Sequence, residues 1–296
     1  MDLHELECIQ TIAEEENITA AAEKLYLSPS ALTQKINHLE KELGCRLFYR
    51  SRAGCFLTDA GKLYVQGIHD ILAVRQETYR KIGDLTQQQE GRLAIGFPPE
   101  RGSQMFSAVY PRFQAAFPGV RIRLAETSVR RQQEMIAGGK LDIGFLSLME
   151  SQYTKDVYIK LRSEEMYLAV PASWLTEPSD TKNPADFRSR PFALMYGQST
   201  MREWQDLILK QYHMNPEILL TTSRSTTVLQ MVSLGVCCGL IPDFYRDLSL
   251  KNVRYCRLPE RPCWNLCASY KQGAYLNHPA REFIRFAAEY YREAEA

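Results

Sequence analysis

The 296-residue chain has no apolar run of the roughly 20 residues needed to cross a bilayer. Its opening, Met1-Asp2-Leu3-His4-Glu5, has neither the positive charge nor the apolar stretch of a secretion signal. A cytoplasmic protein without membrane contact is expected. Paired CxxC motifs are also missing, so the eight cysteines form no metal or disulfide framework and stay thiols in a reducing compartment. Cys263 and Cys267 have three residues between them, but no His or further Cys pair completes a zinc set. On a strand, that spacing would turn both toward one packed face. Neither metal nor cofactor is expected. The chain also lacks a GxSxG elbow, a phosphate-binding glycine loop and an HExxH helix, which argues against an enzyme. Charge of one sign is absent overall: 36 Lys and Arg balance 35 Asp and Glu. Any polyanion must therefore be met by a local concentration of basic residues.

What is present begins with such a concentration. Residues 1–27 carry seven acidic side chains against Lys24, whereas residues 28–58 carry Lys35, Lys41, Arg46, Arg50 and Arg52 against two glutamates. The second segment reads as a helix restart. A first helix from about Thr19 to Leu25 is broken by Tyr26-Leu27-Ser28. Ser28 then offers a side-chain oxygen to the orphan amides of a helix that Pro29 opens. Leu32, Ile36, Leu39 and Leu43 recur at four, three and four, one buried stripe. Ser30, Thr33, Gln34 and Asn37 fall on the opposite face, where short neutral donors and acceptors suit base edges and phosphates. A two-stranded wing is expected from Arg46-Leu47-Phe48 and Gly54-Cys55-Phe56-Leu57, with Arg50, Ser51 and Arg52 in its loop. Ser28, Ser30, Thr33, Gln34, Lys35, Arg50 and Arg52 are the candidate contacts to double-stranded DNA.

This stretch resembles the winged helix-turn-helix of LysR-type transcriptional regulators. Its landmarks stand in order as Ala21-Ala22, Leu25, Ser28, Thr33, Leu39-Glu40, Leu43-Gly44, Leu47-Phe48, Arg50, Leu57-Thr58 and Ala60-Gly61. The Gln-Pro common in the family after the serine is here Pro29-Ser30, so no base contact carries over from that glutamine.

From Asp59 to about Gln89 the chain is proline-free, and Tyr64, Ile68, Ile71, Arg75, Thr78, Ile82 and Leu85 repeat at four and three. That is the seam of a two-helix coiled coil, weakened in the middle by Arg75 and Thr78. The resemblance implies the same: a linker helix that builds a homodimer, commonly paired again into a homotetramer. The dimer would present its two recognition helices to an inverted repeat about one helical turn apart.

After Glu90-Gly91 strands and helices alternate. Strands are expected at Arg92–Phe97, Val120–Ala125 and Leu141–Leu146, with helices at Ser103–Ala116 and Ser128–Ala137 between them. A second unit follows with strands at Tyr167–Val170, Phe192–Tyr196, Ile218–Thr221 and Cys238–Ile241, and helices from Thr200 to about Tyr212 and from Ser225 to Leu234. These are two α/β lobes with mostly parallel sheets, which bind small molecules in the cleft between them.

The segment resembles the LysR effector domain, of the type 2 periplasmic-binding-protein fold, through Gly138-Gly139-Lys140-Leu141-Asp142-Ile143 and Leu234-Gly235 to Gly239-Leu240-Ile241-Pro242. The expected architecture is thus an α/β chain with an all-α winged helix-turn-helix domain (1–58), a linker helix (59–90) and a two-lobed regulatory domain (91–296). Lobe I would take 91–162 and 267–296, and lobe II 163–266.

Candidate effector contacts are hydroxyls at helix starts and strand ends: Ser103, Ser147, Ser199, Thr200 and Thr226. Exposed amides beside hydroxyls favour an anion, so a carboxylate or similar effector is expected. Arg101, in the loop Pro98-Pro99-Glu100-Arg101-Gly102, either pairs an acidic ligand at the pocket mouth or sits in water. A peroxide sensor of the same family is disfavoured, because Tyr196-Gly197-Gln198-Ser199-Thr200 carries no cysteine.

Overall fold

The computed structural model describes residues 3–51, 54–86, 91–175 and 180–293. The chain forms two compact units, Met1–Ile82 and Gly83–Ala296. The first contains α1 (Leu3–Glu15), α2 (Ile18–Lys24), α3 (Pro29–Leu43), a hairpin of β1 (Phe48–Ser51) and β2 (Gly54–Leu57), and the greater part of α4 (Asp59–Leu85). Its helix starts are locally encoded. Asn17 accepts from the Thr19 and Ala20 amides at 2.8 and 3.2 Å, and Ser28 from the Ala31 amide at 3.2 Å, with Pro29 in the first helical position. Gly44, at φ 68°, reverses the chain after α3. Ala21 and Ala22 are fully buried against Leu6, Ile9, Ile12, Leu32 and Ile36, small side chains that let the helices approach closely.

Two expectations fail here. Leu43 is exposed, and Glu40 turns inward instead. The Glu40 carboxylate accepts the Leu47 and Phe48 amides at 2.8 and 3.1 Å where the chain enters β1, and this makes its burial tolerable. In the wing, Arg50 and Ser51 belong to β1 and not to the loop, because Ser51 already pairs with Gly54. Arg52 lies outside the described residues. The Leu57-Thr58-x-Ala60-Gly61 run has a steric reason. Thr58 accepts the Gly61 amide at 2.9 Å and donates to the Arg46 carbonyl at 2.7 Å, and a Cβ on Gly61 would lie 2.0 Å from the Leu47 carbonyl oxygen.

Helix α4 has 27 residues, about 40 Å at 1.5 Å per residue. Ile68 is not free for an intermolecular seam, since it is buried in the core of the first unit, where Tyr64 also packs. Ile71, Val74, Ile82 and Leu85 remain exposed. Among the described residues no helix is long and apolar enough to cross a membrane.

The second unit runs β3 (Gly91–Phe97), α5 (Arg101–Ala116), β4 (Val120–Glu126), α6 (Val129–Ala137), β5 (Ile143–Leu148), β6 (Val157–Pro171), β7 (Phe192–Met195), α7 (Thr200–Gln211), β8 (Ile218–Thr222), α8 (Ser225–Ser233), β9 (Cys238–Pro242), β10 (Val253–Arg257), β11 (Cys263–Tyr270) and α9 (His278–Glu293). Strand order is β4-β3-β5-β11-β6-β9-β7-β8, with β10 also on β6. Pairing is parallel in β4-β3-β5 and in β9-β7-β8, and antiparallel wherever β6 and β11 take part. The sheet is therefore mixed, as two parallel trios joined by antiparallel crossing strands must be.

Two main hydrophobic cores flank the join, one drawn from residues 93–145 and 266–291, the other from 166–264, and a third, smaller cluster is drawn from Ala94 and residues 129–148. Strand β6 serves both: residues 157–165 pair with β11, and 166–171 with β9 and β10. Its first half was not legible because it reads Tyr-Ile-Lys-Leu-Arg-Ser-Glu-Glu, too polar to announce a strand. Cys263 and Cys267 do not share a buried face. Cys263, the first residue of β11, is exposed, whereas Cys267 in the middle of the strand is buried.

Candidate functional site

On α3, Ser28, Ser30 and Gln34 are exposed, and Thr33 and Lys35 are half-buried beside them. The Ser28 and Ser30 hydroxyls lie 3.0 Å apart, forming a small polar group at the helix start. Arg50 reaches α3 from β1. It donates to Asn37 Oδ1 at 2.8 Å and stands 3.8 Å from Glu40. The guanidinium is thereby held against the helix flank, positioned and not free-swinging. Tyr26, 97% exposed at φ 56°, and Tyr49, 65% exposed on β1, are two aromatics beside this surface that the composition of the motif did not single out.

The second unit holds a cavity of about 130 Å³. An apolar cavity of about 150 Å³ accommodates benzene, so the space suits a molecule of that order. Its wall comes from both cores: Glu100 and Arg130 with Ser147 on one side, and Tyr196, Ser199 and Thr200 on the other. Pro98, Pro99, Met195, Tyr245 and Trp264 add the apolar part. Among the described residues no cysteine lines it.

Three helices begin at the wall. Ser128 accepts the Arg131 amide at the head of α6, and Ser199 the Arg202 amide at the head of α7. The start of α8 is served differently: its amides at Ser225 and Thr226 donate to the Glu100 carboxylate at 3.1 and 3.4 Å. Arg130 bridges to Glu203 of α7 at 2.9 and 2.8 Å, and the Thr200 hydroxyl donates to the Ser147 carbonyl at 3.2 Å. Glu203 loses part of its solvation, but the Arg130 and Gln152 hydrogen bonds outweigh that and hold its pKa below the usual value. Burial pushes the Tyr245 phenol up, so its hydroxyl stays a neutral donor.

Of the candidate effector contacts, Ser147, Ser199 and Thr200 therefore stand in the cavity wall, whereas Ser103 and Thr226 do not. Helix α5 starts at Arg101, two residues earlier than expected, and so the Ser103 hydroxyl turns back to the Glu100 carbonyl at 2.9 Å. The Thr226 hydroxyl is taken by Glu100 at 2.5 Å.

Arg101 neither meets water nor opens on the cavity mouth. It is 1% exposed, pairs with the fully buried Glu164 through both terminal nitrogens, and donates to Ser147 Oγ at 3.3 Å. The Phe244 ring lies 4.1 Å from its guanidinium carbon. Burial would lower the arginine pKa, but the Glu164 charge overrides it and holds the cation. Trp264 Nε1 donates to the same carboxylate at 2.9 Å and stacks on Trp204 at 4.7 Å. A glycine after Arg101 is required, since a Cβ at Gly102 would fall 2.0 Å from the Phe97 ring. Sequence reasoning missed Glu100, Arg130, Tyr245 and Trp264; only the Pro98-Pro99-Glu100 run marked the loop as unusual.

Comparison with known proteins agrees with this architecture. The family model for the LysR substrate binding domain matches residues 86–292, and that for the bacterial regulatory helix-turn-helix protein of the lysR family matches residues 3–62. The chain is 26% identical to the uncharacterized HTH-type transcriptional regulator YcgK of Bacillus subtilis (strain 168), over 98% of this chain and 94% of that protein. It is 30% identical to a probable RuBisCO transcriptional regulator of Synechocystis sp., over 71% of this chain and 61% of that one. Among solved structures, a full-length OxyR variant from Pseudomonas aeruginosa superposes with a TM-score of 0.70 at 21% identity, covering 99% of this chain and 95% of that chain. Full-length CbnR, crystallised with its target DNA, superposes at 0.62 and 19% identity, covering 99% and 100%. With both family models matched in order along nearly its whole length, the chain belongs to the LysR family of transcriptional regulators, pairing a DNA-binding helix-turn-helix with an effector-binding domain.

Proposed function

We propose that the protein binds promoter DNA as a homodimer, or a dimer of dimers, and that a small effector in the cavity of the second unit sets the outcome. In this reading residues 1–58 read DNA, 59–90 dimerise and 91–296 sense. Ser28, Ser30, Thr33, Gln34 and Lys35 meet the major groove from α3, and Arg50 with Arg52 meets the backbone from the wing. The effector is a compact carboxylate or similar anion. The observation that carries this is one cavity lined from both cores by the heads of α6 and α7, with hydroxyls and Arg130 beside their first-turn amides.

The test is a melting screen of the purified protein with central and aromatic metabolites, followed by retardation of its own upstream DNA. A ligand that prefers the folded state raises the melting point. The hit should alter retardation without being consumed, and consumption would favour an enzyme. Gln34→Ala should relax preference at one base pair by about 1–3 kcal/mol, read from a footprint across operator variants.

A further inference from the structure

We propose that Glu100 is a latch between the two lobes: an internal carboxylate that holds the cleft shut when no effector is present. Its backbone sits at φ 69° and ψ −69°, and the Arg101 amide donates to the Pro99 carbonyl at 2.9 Å, closing a three-residue γ-turn of the positive-φ kind. A non-glycine residue occupies that region rarely and only when its surroundings demand it.

The demand comes from the other lobe. Helix α8 has no side-chain cap of its own, Arg224 at the cap position making no such bond. Its first amides are instead served by a carboxylate 125 residues earlier in sequence, which also takes the Thr226 hydroxyl at 2.5 Å. A negative charge at a helix start is favoured by the helix dipole as well as by the three donors.

The strap on either side of Glu100 has little freedom to follow a relaxing turn. Pro98 and Pro99 stiffen it before, and Arg101 is locked after it into Glu164 and the Phe244 ring. Pro98, Pro99, Glu100 and Ser225 are all cavity wall, so the latch and the effector site share a surface. Opening the contact frees the strained turn and separates the α5 and α8 sides of the cleft. An effector thereby acts on an arrangement that the chain already holds with its own charge. That regulatory consequence rests on the effector reading above, whereas the latch itself rests on the contact alone.

Hydrogen exchange on the full-length protein without ligand tests the latch. In Glu100→Gln the Ser225 and Thr226 amides should exchange about tenfold faster, the factor associated with losing a charged hydrogen bond. Exchange should rise as well across the opposite rim, at 152–153 and 199–203. Thr226→Val, which removes one donor of three, should give a smaller rise at the same places. Unchanged exchange at 225–226 overturns the proposal. So does a rise confined to those two amides, which would make Glu100 a helix cap and nothing more. Should Glu100→Gln fail to fold, Thr226→Val carries the same two readouts. A metabolite screen without a hit would remove the effector reading and leave this result standing.

Discussion

Two glutamates show how a single side chain is given its task by what surrounds it. Glu40 is buried at the end of α3 and holds the Leu47 and Phe48 amides. Glu40→Ala would orphan both, at about 1–3 kcal/mol for each buried amide. Urea unfolding of the protein should show that loss in the helix-turn-helix transition, and Glu40→Gln, whose amide oxygen still accepts, should recover most of it. Glu203 is a solvent-accessible case. Its folded pKa is depressed, so its stabilising contribution is present above the unfolded value near 4.5 and is lost as the pH falls through the folded one. The melting-point gap between wild type and Glu203→Gln should be constant near neutral pH and shrink toward acid. A gap that persists well below pH 4.5 would mean that the Arg130 pair is not its source.

At the scale of the element, α4 carries the clearest consequence. Its inner face, with Tyr64 and Ile68, is committed to the first unit's own core, while Ile71, Val74, Ile82 and Leu85 stay exposed to solvent. Leu85 is 84% exposed, an unusual state for an apolar residue on a long helix and one that a second copy would relieve. Replacing Ile71 and Ile82 together by Asp places charge on that exposed face and should dissociate the proposed dimer, as measured by light scattering over a dilution series. The same oligomer before and after would show that the chains associate elsewhere. Helix α3 behaves differently, because its fate was decided locally: cap, first-turn proline, stripe spacing and terminal glycine lie within 17 residues, and each agrees with the others.

Across the whole regulatory unit, the two lobes meet on a buried ionic join. Arg101 from the head of α5, Glu164 from the crossing strand β6 and Trp264 from the crossing strand β11 form one hydrogen-bonded network. Removing one partner leaves a buried uncompensated charge, and Glu164→Ala should cost about 3–5 kcal/mol. Calorimetry should show this as a lower melting point of the second unit with the first unit unchanged, and a shift below about 1 kcal/mol would mean that solvent already reaches the pair. An effector of the proposed kind would work against this fixed join. It can move the lobes only by the difference in its affinity for their two arrangements, typically about 1–3 kcal/mol.

Most helices and strands from α2 to β9, the recognition helix, the wing and the two α/β lobes were readable from residue order, because capping, periodicity and turn chemistry act over three to seven neighbours; the first half of β6, β10 and α9 were not. The pocket hydroxyls at Ser147, Ser199 and Thr200 were readable for the same reason, each being marked by the helix start or strand end that carries it. Glu100, Arg101 and Ile68 were not. Their partners lie 125 and 63 positions away, or in a core assembled from five separate segments. Whether an arginine in a loop is solvated, ligand-binding or sealed against the Phe244 ring depends on which strand crosses beneath it. That choice is made when the sheet closes and β6 brings Glu164 under α5, because ionic and hydrogen-bonding energies depend on distance in space and carry no trace of distance along the chain.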